Sequence, residues 1–267
     1  MKKATFIDKF LIKKTYKEKL MTELKHNFDR DGYVAIQSFL DEQQSKELVA
    51  ATDRFIKEVV PLIPSEEVYY EDKTDISTLK QVQKVYDYDD YYLKLANSGA
   101  IVSLAEKLLG GPVELKNMQY FNKIPHIGKG TPAHQDGYYF KIKPQEAVTM
   151  WLSLGDADEK NGAVCYVSGS HKKGMRAHKT TNTLGFSQGI SDWSATDDEN
   201  EAQMTAKAGD ILIHHSLTIH RANANQSPNS RQSVGFIFYR KDVVEDKLAH
   251  DNYKAELNET LAVQGKI

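Results

Sequence analysis

The sequence predicts a mainly β protein, an antiparallel sandwich or barrel carried on N-terminal helices. Helical apolar stripes are confined to residues 1–112. From residue 113 onward the texture changes to short β-branched and aromatic runs, at 113–121, 147–154, 163–167, 211–215 and 231–239, each bounded by turn residues. No Pro/Gly/Ser-rich linker or internal repeat divides the 267 residues. A single domain, 1–267, is therefore expected, since β barrels often run to about 250 residues as one unit.

In chain order, residues 14–27 place Tyr16, Leu20, Leu24 and Phe28 four apart on a helix otherwise rich in Lys and Glu. Asp31-Gly32 punctuates, and Tyr33–Ile36 reads as a short strand. Asp41 with Gln44 three residues on has the form of a capping box. It opens a helix that turns Leu48, Phe55 and Val59 inward and stops at Pro61 and Pro64. A third helix, 100–109, buries Ile101, Leu104, Ala105 and Leu108, and Gly110-Gly111-Pro112 ends it. Residues 1–112 thus form a mostly helical support packed outside the β core of 113–240. Inside that core, 171–207 is polar without a strong period and is expected as a lid-like insert. Residues 241–267 read as a polar tail, with one helix docked through Leu248, Leu257 and Leu261.

Composition removes several classes of function. A net charge of −2 and a pI near 6.5, with no dense Lys/Arg cluster, argue against nucleic acid. The lone Cys165 excludes an intramolecular disulfide and suits a reducing compartment; in an apolar strand it reads as a small buried hydrophobe. No 18-residue apolar segment exists, so no membrane span is expected. Lys2 and Lys3 precede a stretch broken by Asp8, Lys9, Lys13 and Lys14, unlike a signal peptide. The run Gln264-Gly265-Lys266-Ile267 is not a peroxisomal address of the Ser-Lys-Leu type. A cytoplasmic location follows by default.

The chemistry centres on Thr131-Pro132-Ala133-His134-Gln135-Asp136. If this run is extended, His134 and Asp136 leave the same strand face and offer two legs of a metal site. Two imidazoles and one carboxylate on one side of a metal leave the opposite positions open, the arrangement of non-haem Fe(II) oxygenases. His214, His215 and His220 are the candidates for the third leg. His214 and His215 point to opposite faces of a strand, so at most one looks inward. Arg231 opens the last strand, and a turn folding it beside His220 would bring a planar guanidinium to the metal's neighbourhood. There it would suit the far carboxylate of a chelating keto-diacid such as 2-oxoglutarate.

His134-Gln135-Asp136, His220 and Arg231 together resemble the phytanoyl-CoA dioxygenase family of Fe(II)/2-oxoglutarate oxygenases. Further likeness lies in Gly162-Ala163-Val164-Cys165-Tyr166-Val167-Ser168-Gly169-Ser170-His171, similar to the family's Gly…Pro-Gly-Ser-His strand and turn, and in Asn122-Lys123-Ile124-Pro125. The resemblance implies a double-stranded β-helix (jelly-roll, cupin-like) barrel packed against the N-terminal helices. It implies His134, Asp136 and His220 as iron ligands and Arg231, Lys84, Gln119 and Trp151 as contacts of 2-oxoglutarate. It implies O2 as cosubstrate, with ascorbate in support, and a small-molecule substrate, polar or anionic by the make-up of 171–207. Ala222 stands where some members carry a serine that reaches 2-oxoglutarate, and Ser168 replaces the proline of the turn. Related halogenases lack the carboxylate that Asp136 supplies, so hydroxylation is the expected outcome. Two other readings use the same residues: a non-catalytic cupin-like binder of metal and small acid, and a zinc hydrolase, which leaves Arg231 without a role. His215 is expected to be structural and His171 to serve its turn.

Overall fold

The computed structural model describes residues 14–183 and 185–263. The sequence readings at Lys2, Lys3, Asp8, Lys9, Lys13 and residues 264–267, and those on the Tyr16, Leu257 and Leu261 side chains, lie outside the described residues.

The N-terminal part runs through α1 (Lys14–Asp31), β1 (Tyr33–Ile36), α2 (Glu42–Glu58), β2 (Val68–Tyr70), β3 (Leu79–Val82), α3 (Val85–Tyr88), α4 (Asp90–Ala96) and α5 (Gly99–Leu109). The Asp41 box forms as expected: its carboxylate accepts from the Gln44 amide at 2.8 Å, and the Gln44 side chain accepts from the Asp41 amide at 2.9 Å. Gly110 closes α5 at φ 70°, a left-handed value that glycine adopts without a Cβ clash. This region is less purely helical than expected. β1, the strand expected at Tyr33–Ile36, forms one edge of the main sheet, and β2 with β3, which the sequence reading did not name, form the other.

The remainder comprises β4 (Val113–Lys123), β5 (Thr131–His134), α6 (Gly137–Phe140), β6 (Ile142–Lys143), β7 (Ala147–Ser153), β8 (Val164–Val167), β9 (His178–Thr183), β10 (Phe186–Ile190), α7 (Ala195–Glu199), β11 (Glu201–Met204), β12 (Ile211–His215), β13 (His220–Ala222), β14 (Arg231–Arg240), β15 (Val244–Glu245) and α8 (Lys247–Val263). Seven strands make the major sheet in the order β1-β12-β7-β14-β4-β3-β2, and four make the minor sheet, β11-β8-β13-β5. All pairings are antiparallel. Two sheets of the jelly-roll type, with helices against one of them, are the architecture the sequence led to expect.

Period-two alternation divides the major sheet cleanly. Met118, Tyr120, Val148, Met150, Leu152, Ile211, Ile213, Val234, Phe236 and Phe238 form one buried cluster with Leu24 and Phe28 of α1, Leu48 and Phe55 of α2, and Ile101, Leu104 and Leu108 of α5. The intervening positions, Gln119, Phe121, Thr149, Trp151, His214, Arg231 and Ile237, turn the other way and line an internal cavity. Trp151, Leu212, Ala163, Val164 and Tyr166 pack together where major and minor sheets meet. The sheet is thus apolar toward the helices and mixed, polar groups among aromatic ones, toward the cavity.

One expectation needs correction, in the tail. Residues 171–207, the polar insert, carry regular structure. They contain the β9–β10 hairpin, the short α7, and β11, which pairs with β8 along Glu201–Met204. Each piece is shorter than a sequence period can reveal. In the tail, Leu248 is 72% exposed and does not dock. Tyr253 holds α8 instead, its hydroxyl 2.5 Å from Ser187 Oγ on β10 and its ring 5.9 Å from that of Tyr139. No helix among the described residues is long and apolar enough to cross a membrane.

Deleting the fully buried Phe236 ring from the sheet–helix interface by Phe236→Ala is expected to cost about 3–5 kcal/mol. Leu62→Ala, at a position 82% exposed, should stay within about 0.5 kcal/mol. Urea unfolding curves of the two variants measure the contrast.

Candidate metal centre and acid pocket

His134 is the last residue of β5, and β13 places His220 directly opposite it. The strand does not continue to Asp136, as same-face geometry would need. Asp136 is helical, φ −58° and ψ −35°, and caps the single turn of α6. Its carbonyl accepts from the Tyr139 and Phe140 amides, while the Gly137 amide donates to Ser216 O at 2.8 Å. A turn, not strand alternation, folds the carboxylate back toward the imidazole. Gln135 fixes that turn: its Nε2 donates to Leu217 O at 2.7 Å and to Gly174 O at 2.9 Å, and its Oε1 accepts from the Arg176 amide at 2.8 Å. The residue between the two ligands is therefore the tie that joins them to the loop carrying His220.

The three groups converge. Asp136 Oδ1 lies 3.4 Å from His134 Nε2 and 3.6 Å from His220 Nε2, and the two imidazole rings are 4.2 Å apart. Among the described residues this is the one cluster whose ligand atoms suit a single metal ion, all within 4.8 Å of one another. His134 Nδ1 donates to Pro132 O at 2.8 Å and His220 Nδ1 to Thr218 O at 3.0 Å. With the proton on Nδ1, both rings present an Nε2 lone pair inward, the state a metal requires. Burial disfavours charge on His220, as do neighbouring His134 and His214, so its pKa falls well below the usual histidine value. Burial alone would raise the Asp136 pKa; His220, His134 and His214 override it and hold the carboxyl well below the carboxylate range. Thr149 Oγ1 donates to Asp136 Oδ2 at 2.5 Å, and His214 Nε2 lies 3.0 Å from the same oxygen.

The sequence left His214, His215 and His220 open as third ligand, and the strand register separates them. His214 faces the cavity, whereas His215 lies on the opposite side, beside Phe28 and His171. Burial lowers the His215 pKa to about 4, and its Nδ1 accepts from the Leu217 amide. Gly32 locks this corner from outside. Its φ is +87°, a Cβ there would meet His171 Nδ1 at 2.4 Å and Thr218 Oγ1 at 2.5 Å, and its carbonyl accepts from the His215 amide and the Thr218 hydroxyl.

Arg231 opens β14 on the cavity face. Its guanidinium is buried, stacks 4.8 Å from the centre of the Trp151 ring, and donates through Nη1 to Gly162 O at 2.9 Å. Among the described residues Nε has no hydrogen-bond partner. Burial lowers its pKa only to about 10, so it remains cationic at neutral pH. A buried guanidinium without a carboxylate is costly unless an anion arrives, and its fork fits one with two parallel hydrogen bonds.

The other sequence candidates divide. Trp151 is 6% exposed, in the inter-sheet cluster and on the cavity wall at once, so it serves both the core and the pocket. Gln119 lines the cavity, and its Oε1 accepts from Gln81 Nε2 at 2.8 Å. Lys84 lines the same cavity as Arg231. It precedes α3 in a left-handed conformation, and its ammonium lies 2.5 Å from Glu67 Oε1, where the cavity wall also includes Glu66, Gln83 and Lys116. That partner raises the Lys84 pKa and holds its charge.

Sequence reading missed Gln81, Thr149, Tyr166 and Phe186, and weighed His214 only as a third ligand; all five line the cavity. Phe186 comes from the hairpin and packs 5.2 Å from the His134 ring. Only the alternation of β7 and β12 could have singled out Thr149 and His214, as polar residues inside apolar runs. The cavity encloses about 420 Å³, within the range of small-molecule sites.

A family model described as Phytanoyl-CoA dioxygenase (PhyH) matches residues 28–233. The chain is similar to a probable alpha-ketoglutarate-dependent hypophosphite dioxygenase of Stutzerimonas stutzeri, 26% identical over 219 residues, covering 80% of this chain and 76% of that protein. It is 29% identical over 276 residues to a phytanoyl-CoA dioxygenase of Arabidopsis thaliana, covering 88% and 94%. Among solved structures, EctD from S. alaskensis with bound Fe gives a TM-score of 0.70 at 16% identity, over 82% of this chain and 76% of that one. The epimerase SnoN, in complex with Fe3+, alpha ketoglutarate and nogalamycin RO, gives 0.69 at 22% identity over 85% and 86%. At such identities these structural likenesses establish the fold.

Arg231→Ala removes the cavity's buried cation while leaving the metal-facing atoms in place. The expected result is a 2-oxoglutarate requirement raised about 10- to 100-fold, the loss of charged hydrogen bonds worth about 1.5–3 kcal/mol. Metal affinity without 2-oxoglutarate should stay within about twofold, as titrations with each component separately would show.

Proposed function

The chain belongs to the phytanoyl-CoA dioxygenase family, and from that premise we propose how its cavity divides the work. The protein is a 2-oxoglutarate-dependent non-haem Fe(II) dioxygenase that hydroxylates a small molecule. In our reading His134, Asp136 and His220 hold the iron, and Arg231 grips the far carboxylate of 2-oxoglutarate. Trp151 fixes the plane of that guanidinium, and Gln119, tied to Gln81, supplies a polar contact on the same wall. Lys84 adds positive charge, moderated by Glu67. When bound, iron would supply the oxidising chemistry by which 2-oxoglutarate, O2 and a substrate C–H bond become succinate, CO2 and a C–OH bond, one oxygen atom going to succinate and the other to the product. The chain's own part is placement and the exclusion of water.

One observation carries this assignment above the others. A buried, cationic Arg231 without a carboxylate partner lies on the same cavity wall as a two-imidazole, one-carboxylate cluster. A zinc hydrolase would have no use for it. The presence of Asp136 favours hydroxylation over halogenation.

The substrate in this reading is polar or anionic. Support comes from the cavity wall, where Lys84, Lys116, Asn117 and Gln83 stand among the aromatic residues. A single buried thiol, Cys165, whose pKa burial raises, accords with action in the cytoplasm.

Under Fe(II), ascorbate and O2, wild-type protein should release succinate from 2-oxoglutarate, whereas Asp136→Ala should lose both Fe(II) binding and turnover. Binding of Fe(II) and 2-oxoglutarate with no succinate formed, with or without a metabolite pool, would favour the non-catalytic binder. A melting-temperature screen run anaerobically with both components bound addresses the substrate. Stabilisation by polar or anionic metabolites is expected, and a response to long neutral lipids alone would remove the polar-substrate assignment.

A further inference from the structure

Asp136 is asymmetric in its surroundings. Oδ1 is the oxygen that faces His134 and His220, at 3.4 and 3.6 Å. Oδ2 faces the other way and meets two groups, Thr149 Oγ1 at 2.5 Å and His214 Nε2 at 3.0 Å. Those groups are partners across the β7–β12 ladder, Thr149 directly opposite His214. They therefore present a fixed pair of atoms from the major sheet to a carboxylate that belongs to the minor-sheet side. Both are deeply buried, at 8% and 4% exposure. Neither belongs to the His134, Asp136 and His220 cluster, and neither is used by the ligand assignment above.

The proton positions follow from what each atom can do. A carboxylate only accepts, so His214 must carry its proton on Nε2. Nδ1 is then an acceptor, and the Tyr166 hydroxyl, 3.1 Å away, is the donor that satisfies it. Tyr166 is wholly buried and lies in β8 opposite His220. The chain Tyr166–His214–Asp136 thus runs around the site, with Thr149 as a second donor to the same oxygen. A carboxylate whose second oxygen already accepts two short hydrogen bonds cannot swing that oxygen onto a metal without leaving two buried donors unpaired, which costs about 1–3 kcal/mol each.

We propose that His214 and Thr149 form a two-donor clamp that keeps Asp136 a one-oxygen ligand, with Tyr166 fixing the His214 tautomer. The inference rests on the three-ligand assignment above and adds the positioning residues that keep its open face open. An ion held by His134, Asp136 Oδ1 and His220 would keep its side away from these residues for the keto acid and O2, and a carboxylate bound through both oxygens would take up part of that side.

The test uses Co(II) alone, without 2-oxoglutarate or O2, so that it reads metal binding and not turnover. Affinity is titrated for the whole chain, and each variant's melting temperature is recorded without metal. His214→Leu and Thr149→Val should each weaken Co(II) about 10- to 100-fold, the usual effect of removing a partner of a metal ligand. His214→Gln, whose amide can reach toward the Nε2 position, and Thr149→Ser should recover most of the loss. Tyr166→Phe should weaken binding less than His214→Leu. Should His214→Leu fail to fold, the near-isosteric Thr149→Val decides the matter. Co(II) affinity within about twofold of wild type in Thr149→Val and His214→Leu, whatever their melting temperatures, would overturn the clamp while leaving the three-ligand site intact. No Co(II) uptake by wild type would overturn the ligand assignment and the clamp together.

Discussion

A carboxylate withdrawn from water must be compensated at close range, and Asp136 is where this molecule meets that requirement. Burial pushes its proton affinity up, yet its surroundings hold the carboxyl well below the usual carboxylate range. The donors that meet that demand are His214 of β12 and Thr149 of β7, while His134 of β5 and His220 of β13 converge on the same residue of a helical turn. Two sheets and the connection between them are therefore committed to a single side chain. A fold in which the sheets lay farther apart would leave the carboxylate uncompensated.

The division of labour between the sheets follows from that convergence. The minor sheet and its α6 turn carry the groups that bring lone pairs to the centre: His134, His220 and Oδ1 of Asp136. The major sheet carries donors and cations: Thr149, His214 and Arg231. The major sheet can do so because its reverse face is given wholly to packing on α1, α2 and α5. Strand alternation lets one strand serve both ends at once: Met150 and Leu152 of β7 enter the helix interface, while Thr149 and Trp151 face the cavity. Stability and site chemistry are thus interleaved residue by residue, and moving the register of β7 or β14 by one position would destroy both.

Electrostatics in the cavity is graded from inside outward. Arg231 is buried, cationic and stacked on Trp151, with only a backbone carbonyl accepting from its guanidinium. Lys84 and Lys116 on the same cavity wall are each held by glutamates, Glu67 for the first and Glu114 and Glu245 for the second. Arg231 is therefore the cation of this wall that no carboxylate among the described residues neutralises, and it stands where the keto acid is placed in our reading.

The sequence by itself pointed to the two-layer β architecture and the helical support, and it singled out His134 and Asp136 as a candidate pair with Arg231 as the cation to set beside them. These are local facts: alternation, capping and turn residues act over a few positions, and so does a two-residue spacing of ligands. Choosing His220 over His214 and His215 needed the resemblance to a known family, because three histidines within seven positions are equivalent until a register is set. The tertiary structure decided the rest. It showed that Asp136 reaches the centre through a turn tied down by Gln135, that Lys84 is engaged by Glu67, and that residues 171–207 fold into a hairpin covering His134. It also brought Thr149 and His214 to the far oxygen of the ligand. Each of those outcomes depends on which segments lie side by side, and the local pattern of a segment does not name its partner.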